Sequence, residues 1–272
     1  MNNLVFGKYI PIDSIVHRLD PRAKIAALFI IIVAIFIPKS WWAYLFLGII
    51  LLTTVLLSKL SLKFIFKAFK PMMFMMLFLL VINCLTVKTG DILFTVGNFS
   101  IYSDGVFNTL FIVVRLLLMI MLTTCLTATT KPLDLTLGIE YLLSPLKIVH
   151  FPAHEVAMMI SIALRFIPTI IEETMRIMNS QKSRGVDFEE GKLKEKIQAI
   201  LSLIVPLFSV AFERAYELAD AMEARGYVPG AERTRYRQLK FTFKDALVVF
   251  LSFVVLGLMI LSRIYLWDIK WY

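Results

Sequence analysis

The stretch EETMRIMNSQKSRG, residues 172–185, continues without a break from an apolar run, Val156 to Ile171. Its outline returns as ERAYELADAMEARG, residues 213–226, directly after a second apolar run from Ile197 to Phe212. What these two stretches are decides the fold. If both apolar runs crossed a membrane, the segment between them would carry Arg176, Lys182, Arg184, Lys192, Lys194 and Lys196 to the far side. Both runs are also shorter than the roughly 20 residues needed to cross a hydrocarbon core of about 30 Å. They read instead as the membrane-proximal starts of two long cytoplasmic helices that end on Arg184-Gly185 and Arg225-Gly226.

Composition points the same way. Of the 272 residues, 59% are apolar and only 18% charged, with a mean hydropathy of +0.78. A soluble domain does not carry that balance. The chain reads as an all-α polytopic membrane protein with about five transmembrane helices and a cytoplasmic helical coupling domain. The spans are Ile25–Ile37, Ala43–Leu57, Met72–Val87, Val106–Thr127 and Ala246–Leu261. Pro38 stops the first, and Trp41 and Trp42 suit the membrane interface. Residues 1–130 hold four transmembrane helices, 131–244 the coupling domain with its two Arg-ended helices, and 245–272 the last span. The turn-rich KTGDILFTVGNFSIYSDG, residues 88–105, reads as a polar loop.

Basic residues set the orientation. Lys8, Arg18, Arg22 and Lys24 precede the first span, Lys59, Lys63, Lys67 and Lys70 separate the second from the third, and sixteen more lie between Lys131 and Lys244. The opposite side holds only Lys39, Lys88, Arg263 and Lys270. Cytoplasmic loops retain lysine and arginine, so the N-terminus and the long segment face the cytoplasm of the cell membrane and the C-terminus lies outside. The net charge of +9 is accordingly loop charge facing lipid, not a nucleic-acid surface. Lys59, Lys63, Lys67 and Lys70 share one helical face, which predicts a short helix lying in the headgroup layer. The N-terminus shows no removable signal.

The catalytic inventory is thin. GVDFEEGKL, residues 185–193, imitates a phosphate-binding loop, but its second glycine is one residue too far, Leu193 replaces Ser/Thr and three acids would repel phosphate. Cys84 and Cys125 lie in apolar runs and suggest neither a disulfide nor a metal cluster. A competing reading is a membrane metalloenzyme using His150, His154 and Glu155, although Pro152 interrupts the helix that would align them. Another is a stand-alone secondary transporter, which needs charged or broken helices at the membrane midplane, and only Arg115 qualifies. Arg115 either lines a partner interface or snorkels; no acidic residue within a span pairs with it.

One Arg-Gly pair is ordinary helix punctuation, because a cation in the last turn complements the dipole and glycine caps the end. Two such pairs, each preceded by a small residue, carry more. Ser183-Arg184-Gly185 and Ala224-Arg225-Gly226 are slender tips that fit narrow grooves, where a guanidinium fork takes carboxylates or helix-terminal carbonyls. Ala211, Ala215 and Ala219 recur every four residues, either as a small-residue helix crossing or as plain helix propensity.

This pair of motifs, together with HRLDPRAKI (His17 to Ile25) opening the first span, resembles the transmembrane T component of energy-coupling factor transporters. These are importers of vitamins and metal ions of the ATP-binding-cassette type. The likeness follows nearly the whole chain in order. It implies a non-catalytic scaffold and transducer whose Arg184 and Arg225 each dock one of two ATPase subunits, of A and A′ type. Ser183, Gly185, Ala224 and Gly226 would shape the tips. A separate substrate-binding S component would sit against the membrane helices, and ATP with Mg would bind to the ATPases, with no cofactor on this chain. Asp20, Pro21 and Arg22 match the family's N-terminal motif, where a structural role is expected: Asp20 caps the first helix and Pro21 takes its first position.

Overall fold

A computed structural model describes residues 9–38, 40–87, 89–90, 92–96, 99–145, 152–188, 190–228 and 239–265. In chain order they form α1 (Pro21–Phe36), α2 (Trp41–Leu57), α3 (Leu62–Thr86), β1 (Ile92–Val96), β2 (Phe99–Tyr102), α4 (Ser103–Thr129), α5 (Pro132–Leu143), α6 (Ala153–Ser183), α7 (Leu193–Ala224) and α8 (Phe243–Tyr265). The architecture is all-α apart from one hairpin. The chain divides into two compact units, residues 1–142 with 239–272, and residues 143–238.

In the first unit α4 packs against α1, α2 and α3, and α8 packs against α1. Their shared core includes Ile35 of α1, Leu47, Leu51 and Val55 of α2, Leu118 and Met121 of α4, and Met259 of α8. Large apolar side chains also cover the outside, among them Phe29, Trp42, Phe74, Phe78 and Phe250. Lipid tails solvate such faces as well as another helix would, so they need no protein cover. Polar bonds therefore fix the helix ends. The Asp20 N–H at the start of α1 donates to the Asp245 carboxylate at the start of α8 (2.8 Å). Lys24 of α1 donates to the Thr129 carbonyl (3.1 Å) and the Thr130 hydroxyl (3.2 Å) at the end of α4. The starts of α1 and α8 and the end of α4 thus lie together at one end of this unit. Gly138 of α5 lets that helix sit close on α1: a Cβ there would come within 2.9 Å of Ile25 Cδ1.

Two expectations need correction. The lysine-bearing segment and the third span are not two helices; α3 runs unbroken through Pro71. Ile65 in its first turns is buried in the shared core, with Phe64 and Phe69 packed against that core, so tertiary contact outweighs the missing Pro71 N–H. Lys63, Lys67 and Lys70 are exposed along those same turns. The polar loop between the third and fourth spans contains the antiparallel pair β1–β2. By length and composition alone, the five described helices able to cross a membrane are α3, α4, α6, α7 and α8. The 16-residue α1 and 17-residue α2 are too short for that length criterion, while α6 and α7 meet it with the least apolar of the five windows.

The second unit consists of α6 and α7, of 31 and 32 residues, packed on each other. At 1.5 Å per residue they are about 46 and 48 Å long, well over a hydrocarbon thickness. Pro168 and Pro206 lie inside them.

Candidate functional site

Both long helices end with the same backbone arrangement. In α6 the Gly185 N–H donates to the Lys182 carbonyl and the Val186 N–H to the Gln181 carbonyl, both at 3.0 Å. In α7 the Gly226 N–H donates to the Glu223 carbonyl (2.8 Å) and the Tyr227 N–H to the Met222 carbonyl (2.9 Å). These paired bonds close a helix through a left-handed residue. Gly185 at φ +86° and Gly226 at φ +72° supply it without the Cβ penalty. Arg184 and Arg225 are the capping residues themselves, each at the last point before the chain turns away.

Nothing crowds either tip: a Cβ added at Gly185 or Gly226 would meet no atom within 4 Å. Arg184 and Arg225 are exposed, and their side chains make no ion pair or hydrogen bond among the described residues. Ser183 turns its hydroxyl back onto the Asn179 carbonyl (3.1 Å), leaving a tip nearly as narrow and apolar as Ala224 leaves on α7. Nine residues separate Arg184 from Leu193, which spans at most about 32 Å. Since α7 is about 48 Å long, the Cα atoms of Arg184 and Arg225 are on the order of 15 Å or more apart. The two tips are therefore separate points on the chain. Ala211, Ala215 and Ala219 are exposed on α7, so α6 does not cover them.

In the N-terminal motif Asp20 and Pro21 are buried and Arg22 is half-buried. Asp20 caps α1, its carboxylate accepting from the Arg22 N–H (2.9 Å), and Pro21 takes the first helical position. Arg22 lies over the Tyr141 ring at 3.5 Å, tying α1 to α5. Asp245, 1% exposed, accepts from the Asp20 N–H and from both the N–H and hydroxyl of Thr242. The sequence reading passed over Asp245. Its signal was present in TFKD, residues 242–245, a Thr-x-x-Asp capping pattern ahead of an apolar run.

His17 stands just before this motif. Its Nδ1 lies 2.6 Å from the Ser14 hydroxyl and its Nε2 3.1 Å from the Ile10 carbonyl, which suits a neutral ring protonated at Nε2. Partial burial pushes its pKa below the usual value. Arg115 also gains a partner: it donates to the Tyr44 hydroxyl (2.9 Å), which in turn donates to the Pro38 carbonyl (3.1 Å). A tyrosine hydroxyl two helices away in sequence was not a counter-charge that could be searched for.

His154 and Glu155 occupy the first turn of α6, and His150 lies outside the described residues. Among the described residues no group of three or more His, Cys, Asp or Glu is placed to hold a metal ion.

Residues 13–236 match the family model CbiQ, described as a cobalt transport protein. The chain is 44% identical over 263 residues to the energy-coupling factor transporter transmembrane protein EcfT of Bacillus subtilis (strain 168), covering 97% of this chain and 99% of that one. It is 42% identical over 261 residues to EcfT of Lactococcus lactis subsp. cremoris (strain MG1363), covering 96% and 98%. With EcfT of Macrococcus caseolyticus (strain JCSC5402) the identity is 44% over 262 residues, covering 96% and 98%. The chain, a multi-pass membrane protein with five helices able to span a bilayer, belongs to this family of energy-coupling factor transporter transmembrane components.

Proposed function

We propose that this chain is the scaffold and transducer of an ATP-driven vitamin or micronutrient importer, and that it hydrolyses nothing itself. Arg184 and Arg225 each enter a groove on one of two ATP-binding-cassette ATPases, which bind ATP and Mg. The carrying observation is the pair of identically capped, uncrowded helix ends, each presenting an arginine with no partner among the described residues. A guanidinium fork can bind a carboxylate or free helix carbonyls bidentately, and a cap set by glycine holds it in a fixed direction. Separation of the tips gives each ATPase its own point of attachment. When ATP draws the ATPases together, the tips move with them, and the long helices carry that motion to the S component.

On this reading α6 and α7 stay on the cytoplasmic side with the N-terminus, and the C-terminus lies outside. Lysine and arginine distribution supports the assignment over the length criterion, because six basic residues between the two apolar runs would otherwise cross. The exposed Ala211, Ala215 and Ala219 stripe is available to a helix of another subunit.

Purifying the complex from cells that express the Arg184→Ala/Arg225→Ala pair tests the docking role. ATPase co-purification and coupled uptake should be lost, while the chain itself remains in the membrane. Normal uptake in the double variant would refute the role of the tips.

A further inference from the structure

We infer that a groove at the polar-bonded end of the first unit holds the headgroup of one anionic phospholipid. The groove, about 490 Å³, opens between the segment before α1, the end of α2 and the start of α8. That volume is ordinary for a small-molecule site. Arg18, Lys59 and Lys244 line it against a single carboxylate, Asp13. Asp13 is taken by Arg18, whose Nε and Nη2 both donate to it. The ammonium groups of Lys59 and Lys244 keep no ion-pair or hydrogen-bond partner among the described residues. The groove is therefore cationic, with two groups ready for an anion.

Its other lining is apolar and exposed: Ile15 at 62%, Leu56 at 57% and Leu57 at 53%. Leu56 and Leu57 are the last residues of α2, an apolar helix that the charge pattern ends at the cytoplasmic membrane surface. A small soluble anion would use the lysines and leave these side chains bare. A lipid phosphate with its acyl chain alongside satisfies both, which is why charge and apolar surface meeting at one boundary select a phospholipid.

The backbone supplies a second observation. Lys59, at φ +57°, is the only non-glycine residue at positive φ among the described residues. Glycine would hold that turn after α2 without strain. The chain keeps an ammonium there, beside the groove. Strained residues of this kind gather where a ligand is held.

The test uses the purified full-length chain in neutral detergent, without ATPases, so it stands or falls apart from the docking proposal. Native mass spectrometry compares phosphatidylglycerol with phosphatidylcholine of the same acyl chains. One phosphatidylglycerol should be retained preferentially. Lys59→Gly or Lys244→Gln should lower that retention about fivefold, and the pair about thirtyfold. Lys59→Gly relieves the backbone, so its melting temperature should not fall and its loss of lipid cannot be unfolding. Lys63→Gln/Lys67→Gln, on the exposed side of α3, should retain the lipid. Equal retention of both lipids, full displacement by millimolar inorganic phosphate, or an equal loss in the α3 variant would each overturn the assignment.

Discussion

Replacing Asp245 by alanine removes the acceptor that holds the starts of α1 and α8 together. Its carboxylate is 1% exposed and takes the Asp20 N–H at 2.8 Å, the Thr242 N–H at 2.7 Å and the Thr242 hydroxyl. The hydroxyl can turn to another acceptor, but the two backbone donors cannot. The Asp20 N–H is buried with its residue, 6% exposed, and stranding such a donor costs about 1–3 kcal/mol. Thr242 is exposed, so water can meet its freed N–H, and the loss stays at about 1–3 kcal/mol. For a unit of this size each kcal/mol moves the midpoint by roughly 2–4 °C, so the variant should melt about 2–12 °C lower. Asp245→Asn keeps one acceptor and turns an amide N–H toward another donor, so it should fall between the two. The assay is detergent-solubilised thermal unfolding read by size-exclusion fluorescence. A shift below about 2 °C for the alanine variant would show that the lock is not what joins these helices.

Other outcomes follow from single sites. Gly138→Ala places a methyl 2.9 Å from Ile25 Cδ1 and 3.3 Å from Pro21 Cβ, and should cost about 1–3 kcal/mol of global stability in the same melt. Gly226→Ala meets nothing within 4 Å and pays only for φ +72°, about 1–2 kcal/mol, so hydrogen exchange should show fraying confined to the α7 tip. The folded chain binds a proton at His17 less readily than the unfolded chain, so stability present above about pH 6.5 should fall as pH drops below it. His17→Gln should remove that slope from a melting-versus-pH series. Arg184→Lys keeps the charge but loses the fork, and should weaken ATPase co-purification by about tenfold, less than Arg184→Ala.

Local signals in the sequence located the helix ends well. Asp20-Pro21 marked the start of α1, because a short acceptor and a fixed φ are what a first turn needs, and the two Arg-Gly pairs marked the ends of α6 and α7. What depended on partners distant in sequence was hidden. Pro71 looks like a break until Ile65 is seen buried in the shared core. The Thr242–Asp245 cap could be read locally, but not that Asp245 also holds Asp20, 225 positions away. Arg115 has no carboxylate within a span to mark its partner, which is the Tyr44 hydroxyl. Length alone separates the helices differently from charge: α1 and α2 are short, at 16 and 17 residues, while the apolar starts of α6 and α7 run on into charged helix. The two capped helix tips were legible because their chemistry sits in three consecutive residues.

The central claim is that each arginine tip touches its own ATPase. The most direct measurement places a photo-crosslinking residue at Ser183 or at Ala224 in the assembled complex in cells, leaving both arginines in place, and identifies each adduct by mass spectrometry. The account predicts that each position captures an ATP-binding-cassette ATPase at high yield. Adducts confined to lipid or to an outer-face protein, with no ATPase at either position, would contradict it.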